Sequence, residues 1–173
     1  MVSNMKGEDE KLFLGVKQFS FGQFRSFAAV NDSTLRAWMK RHLPDIGEKM
    51  PNGKMLFSGV DCIYIRLFSE LTTKKSITPK AAQKISHIGL SRVLELVLLS
   101  KSDFDEYEPI FHVYEKVTDD FTEYLSMTKG GIFQLFESIS AESLLIVPID
   151  NIFLSTQESL FKVLERDRLK DSK

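Results

Sequence analysis

At 173 residues, 43% of them hydrophobic, the chain has ample material for a packed core and is expected to be globular. Its net charge of −1 gives no overall attraction to a polyanion, and its one cysteine, Cys62, excludes an intrachain disulfide and a cysteine-rich zinc site. The longest apolar stretches, such as 144–149, are too short to cross a bilayer, and residues 1–10 are polar and acid-rich where a secretion signal would be basic and then apolar, so a cytoplasmic location with no membrane partner is expected.

Residues 1–18 read as a leader, disordered at its start because residues 1–10 have little to bury. Residues 13–21 alternate weakly, as a short strand or an extended approach would. From Gly22 to Val30, Phe24, Phe27 and Ala28 recur at helical spacing, and Asn31-Asp32-Ser33 then supplies a turn and a side-chain cap for a second helix. In that helix Ser33, Arg36, Ala37 and Lys40 share one side, small and basic, while Leu35, Trp38, Met39 and His42 share the other, which is core-like. Trp38 is therefore expected in the core. A small and basic helix face has the chemistry of a groove reader, because small residues allow close approach and Arg and Lys supply phosphate contacts or guanine hydrogen bonds. Taken alone, such a face is more often an ordinary solvated surface.

Leu43-Pro44 ends the helix, and Asn52-Gly53 is a hairpin turn signal between Lys49-Met50 and Met55-Leu56-Phe57. Ser58 offers the cap of a third helix, with Asp61 completing an imperfect capping box and Val60, Ile63, Tyr64, Leu67 and Leu71 as its apolar stripe. The predicted order is helix, turn, helix, hairpin, helix. Charge follows it: from Lys17 to Lys75 there are ten Lys and Arg against five Asp and Glu, a balance of +5, whereas Asp103 to Asp167 holds four basic and fourteen acidic residues, a balance of −10.

With those pieces in place, residues 19 to 73 resemble the winged-helix DNA-binding domain of the MerR superfamily. The resemblance rests on Phe21-Gly22-Gln23-Phe24 entering the first helix, Thr34-Leu35-Arg36-Ala37-Trp38 in the second, the turn Asn52-Gly53 followed by Leu56-Phe57-Ser58, and the helix from Asp61 to Leu71. It implies duplex DNA binding, with Ser33, Thr34, Arg36, Lys40 and Arg41 at the groove and Lys49 and Lys54 along its flank. The chain departs from the family's wing, usually Asn-Gly-Tyr-Arg-x-Tyr, in having Lys54 at the aromatic position and Met55 at the arginine position. It also lacks the long dimerising coiled coil, since no heptad pattern persists beyond Leu99. Related folds occur in phage excisionases and terminase small subunits, so the resemblance implies DNA binding more firmly than transcriptional control.

Thr78-Pro79 begins a linker helix to about Leu99, whose last part, from Val93, is apolar on more than one side and is expected to be buried. After the acidic run Asp103 to Glu108, residues 110–117 and 144–149 read as strands, with further strand segments at 124–127 and 132–136 around a Gly130-Gly131 turn. An amphipathic helix from Asn151 to about Arg166 closes this part. The expected fold class is α+β: an N-terminal winged helix-turn-helix (19–75), a linker helix (76–101) and a small acidic C-terminal α/β unit (102–173) that senses a signal or dimerises. No phosphate loop, zinc spacing or nucleophile motif is present, so no enzyme activity, cofactor or metal is expected. The histidines His42, His87 and His112 fall on different elements and are expected to share no metal or catalytic role. The leading expectation is a bacterial or phage DNA-binding regulator, a homodimer with an unknown effector or protein partner for its second half. The alternatives are a winged-helix protein-interaction adaptor and a phage DNA-packaging or recombination accessory protein.

Overall fold

The computed structural model describes residues 14–98, 110–117, 120–128 and 144–171. The expected leader up to residue 13, the acidic run 103–108, the strand at 132–136 with its glycine turn, and the side chains of the apolar stretch 93–99 lie outside the described residues.

The fold mixes helices with two small antiparallel sheets. A short strand β1 (Phe19–Ser20) leads into helix α1 (Phe21–Ala28), followed by α2 (Asp32–Arg41), the hairpin β2 (Glu48–Lys49) and β3 (Met55–Phe57), and α3 (Gly59–Ser69). Strand β3 lies between β1 and β2, pairing Phe19 with Phe57 and Lys49 with Met55. Side chains set each boundary. Ser20 and Gln23 form a reciprocal capping box on α1, Asn31 Oδ1 accepts the Thr34 N–H at 2.8 Å to start α2, and Ser58 and Asp61 form the capping box of α3. The hairpin closes through Met50, whose N–H donates to the Lys54 carbonyl while its own carbonyl accepts from Gly53, and Gly53 takes the left-handed conformation at φ +80°.

Beyond Ser69 the helix widens into a π-turn, Glu70–Lys74, with the Lys75 N–H donating to the Glu70 carbonyl at 3.2 Å. Two hydroxyls account for the loosening. Thr72 donates to the Phe68 carbonyl and Thr73 to the Ser69 carbonyl, in competition with the regular helix ladder.

Helix α4 (Pro79–Leu98) begins at the proline the sequence indicates. Strands β4 (Ile110–Val117), β5 (Asp120–Thr128) and β6 (Leu144–Val147) then form a sheet in the order β5-β4-β6, and α5 (Ile149–Asp171) packs back on α3 and α4. Every described pairing in it is antiparallel, so this part is itself of the α+β kind rather than α/β. Two boundaries also move. Pro148 has no N–H to give a ladder, so β6 stops at Val147 and Ile149 is helical; α5 therefore starts before Asn151 and continues past Arg166.

One continuous core joins both ends of the chain. Phe19, Phe24, Phe57 and Leu35 from the first part share it with Ile63 and Phe68 of α3, Ala82 and Ile85 of α4, and Phe153 and Leu160 of α5.

Candidate nucleic-acid interface

The residues singled out from the sequence sit on α2 and on the hairpin. Along α2, Leu35 is fully buried and Trp38 is half-buried, its ring edge-on to Phe68 at 5.0 Å, so the apolar side expected for this helix faces the core. On the other side Ser33, Arg36 and Lys40 are exposed, Thr34 and Ala37 are half-buried, and Arg41 is exposed at the helix end. Lys49 and Lys54 are exposed on the two arms of the hairpin, Lys49 within β2 and Lys54 just past the turn.

Their states differ. Ser33 donates its hydroxyl to Asn31 Oδ1 at 2.8 Å, the same oxygen that caps Thr34, so both residues belong to the network that fixes the start of α2. The Arg36 guanidinium stacks over the Phe21 ring at 4.3 Å, and Phe21 in turn packs at 6.3 Å from Phe57 of β3. This chain of rings ties the exposed side of α2 to the small sheet. Sequence periodicity could not find it, because Phe21 and Arg36 belong to different helices and meet only through the α1–α2 turn. An Arg25–Asp32 ion pair braces that turn.

The remaining basic groups divide sharply. Lys17 pairs with Asp61 at 2.6 Å, and Arg66 and Lys74 both pair with Glu70, at 2.9 Å and 2.8 Å. Lys40, Arg41, Lys49 and Lys54, and beyond the π-turn Lys75, have no ion-pair or hydrogen-bond partner for their charged ends among the described residues. Glu48 precedes Lys49 in β2, and neighbouring strand residues point to opposite sides of the sheet, so it does not cancel the lysine on its own side. Cys62 is buried in α3, and desolvation, helped by the Asp61 charge, pushes its thiol far above the ordinary range and keeps it protonated.

Sequence spacing also missed a second assembly. His42 and His87, assigned to unrelated elements, line one cleft together with Asp45, Asp61 and Gln83. No family model, curated protein or solved structure matches this chain.

Proposed function

We propose that residues 19–75 act as a winged helix-turn-helix that binds duplex DNA, as in the MerR-like pattern of the sequence, and that the protein is a DNA-binding regulator of bacterial or phage type. The observation that carries this reading is the set of five exposed cations on the second helix and the hairpin: Lys40, Arg41, Lys49 and Lys54, whose charged ends have no partner among the described residues, and Arg36, which rests on the Phe21 ring. Most other basic side chains of this part are tied down by carboxylates. Five cations without a carboxylate partner on consecutive elements raise the local positive potential, and a phosphate backbone relieves it with release of its counterions. In this reading Arg36, steadied on Phe21, is the base-reading group, since a guanidinium stacked on a ring is already oriented and loses less freedom on binding. The acidic second half, with its balance of −10, repels phosphate and is left for self-association or for receiving a signal.

The test uses the full-length protein and a labelled duplex, with affinity followed by fluorescence anisotropy as salt is raised. Binding should weaken linearly on a logarithmic salt scale, and Lys54→Ala should reduce the slope by about one phosphate contact, equally on matched and scrambled duplexes. Arg36→Ala should cost about 1–3 kcal/mol on a matched site and less on a scrambled one. Absence of binding at low salt removes DNA from the reading, and binding that ignores all these substitutions shows that this face is not the one that meets DNA.

A further inference from the structure

The connection between α2 and β2 folds over α3 and α4 and leaves an open cleft of about 200 Å³. Five polar side chains line it: His42 and Asp45 from the connection, Asp61 from α3, and Gln83 and His87 from α4. Leu43, Val60 and Leu90 supply its apolar walls.

The polar groups have hydrogen-bonding capacity left over. The side chains of His42, Asp45, Gln83 and His87 make no hydrogen bond or ion pair among the described residues. Asp61 spends only Oδ2, which accepts from the Ser58 N–H at 2.7 Å and from Lys17 Nζ at 2.6 Å, so Oδ1 remains open. Convergent polar groups with spare capacity over apolar walls are the usual composition of a small-molecule site. Tyr64 closes one side, its hydroxyl donating to the Gln83 carbonyl at 3.3 Å. Burial raises its pKa to about 12, so it adds no charge.

Charge and size narrow the occupant. The lining holds two carboxylates and neither lysine nor arginine; Lys17 already meets the charge of Asp61 from outside the cleft, so the uncompensated charge is that of Asp45, which disfavours an anion. Among the described residues no three His, Cys, Asp or Glu side chains stand close enough to hold a metal ion, so a bare cation lacks its ligand set. The volume falls below the roughly 300–1,000 Å³ of sites for drug-sized ligands and suits one ring with a short arm. We propose that this cleft binds a small organic cation, a protonated amine carried on one apolar ring, with the ammonium toward Asp45 and the ring against Leu43, Val60 and Leu90. The site stands independently of the DNA reading, because none of the basic residues assigned to DNA lines it.

Phenethylamine is a suitable probe, with phenethyl alcohol as the neutral analogue and hydrocinnamate as the anionic one. Amide chemical shifts of the full-length protein, followed by heteronuclear NMR, should move saturably with the amine at residues 42–46, 60–64 and 83–90. The amine should bind at least about tenfold more tightly than the alcohol. Asp45 is exposed and takes no part in the fold's hydrogen bonding, so Asp45→Asn should leave the free spectrum intact outside its own loop and weaken the amine by about threefold. Three results overturn the proposal: no saturable change at the cleft, the alcohol or the anion binding as well as the amine, or an Asp45→Asn protein that binds the amine unchanged.

Discussion

Phe24→Ala should cost about 3–5 kcal/mol of folding stability, the range for emptying a buried phenylalanine site. Phe24 has no solvent exposure, and its ring lies nearly parallel to Phe57 with centroids 4.0 Å apart. Phe57 in turn anchors β3 between the other two strands, so the pair joins α1 to the small sheet. The backbone around it is held by the Ser20 and Ser58 capping boxes, which limits how far the structure can collapse into the space and keeps the cost toward the upper end. A domain of this size is stable by only about 5–15 kcal/mol, so the substitution removes a large share of that margin. Chemical denaturation at fixed temperature measures it. A loss below about 1 kcal/mol would mean that the ring pair does not hold these elements together.

Gly47→Ala should cost about 2–5 kcal/mol, the sum of a left-handed backbone penalty and of overpacking. Gly47 has φ +78°, and a Cβ there would stand 2.7 Å and 2.9 Å from two carbons of the Phe57 ring, which is itself packed on Phe24 and has no room to move. Gly53 provides the internal comparison. Its φ of +80° imposes the same backbone penalty, but a Cβ added there meets nothing within 4 Å. Gly53→Ala should therefore cost only about 1–2 kcal/mol. The difference between the two variants, read from paired denaturation curves, reports the side-chain contacts at residue 47, the Phe57 ring first and the flexible Met55 methyl at 3.1 Å second. Equal losses would show that backbone conformation, and not the packing of Phe57, requires glycine at residue 47.

The elements that could be read from the sequence are those whose signals are local. Asn31, Ser58 with Asp61, Asn52-Gly53 and Thr78-Pro79 each mark a boundary through a bond or a dihedral that neighbouring residues decide, and each sits where such a boundary falls. The division of α2 into a Leu35 and Trp38 side and a Ser33, Arg36 and Lys40 side was legible for the same reason. What was not legible depends on residues distant in sequence. Gly47 looks like any loop glycine until Phe57 is placed against it, and the weak alternation of 13–21 marks a short strand without marking its bounds, since pairing with Phe57 and Leu56 confines β1 to Phe19 and Ser20. The π-turn carries no periodic signal because the hydroxyls of Thr72 and Thr73, ordinary helix-surface residues in a pattern, act there on backbone carbonyls. As for the basic side chains, their number was visible in the sequence but their pairing only in part. Arg66 and Lys74 stand one helical turn from Glu70, a spacing that shows in the sequence, whereas Lys17 and Asp61 meet across 44 positions and only the fold brings them together.

The continuous core bears on how the protein opens and closes in solution. Helix α3 touches α1 on one side and α4 and α5 on the other, and the buried Ser69 hydroxyl donates to the Ala28 carbonyl at the end of α1. An amide in the middle of α3 is therefore released to solvent only when both flanks let go. Its hydrogen exchange should follow the free energy of whole-molecule unfolding, while amides at the hairpin tip exchange through local fraying. A core shared in this way leaves the first half no independent route to unfolding: a ligand that stabilises either end slows exchange in α3, and the central helix reports on the occupancy of both.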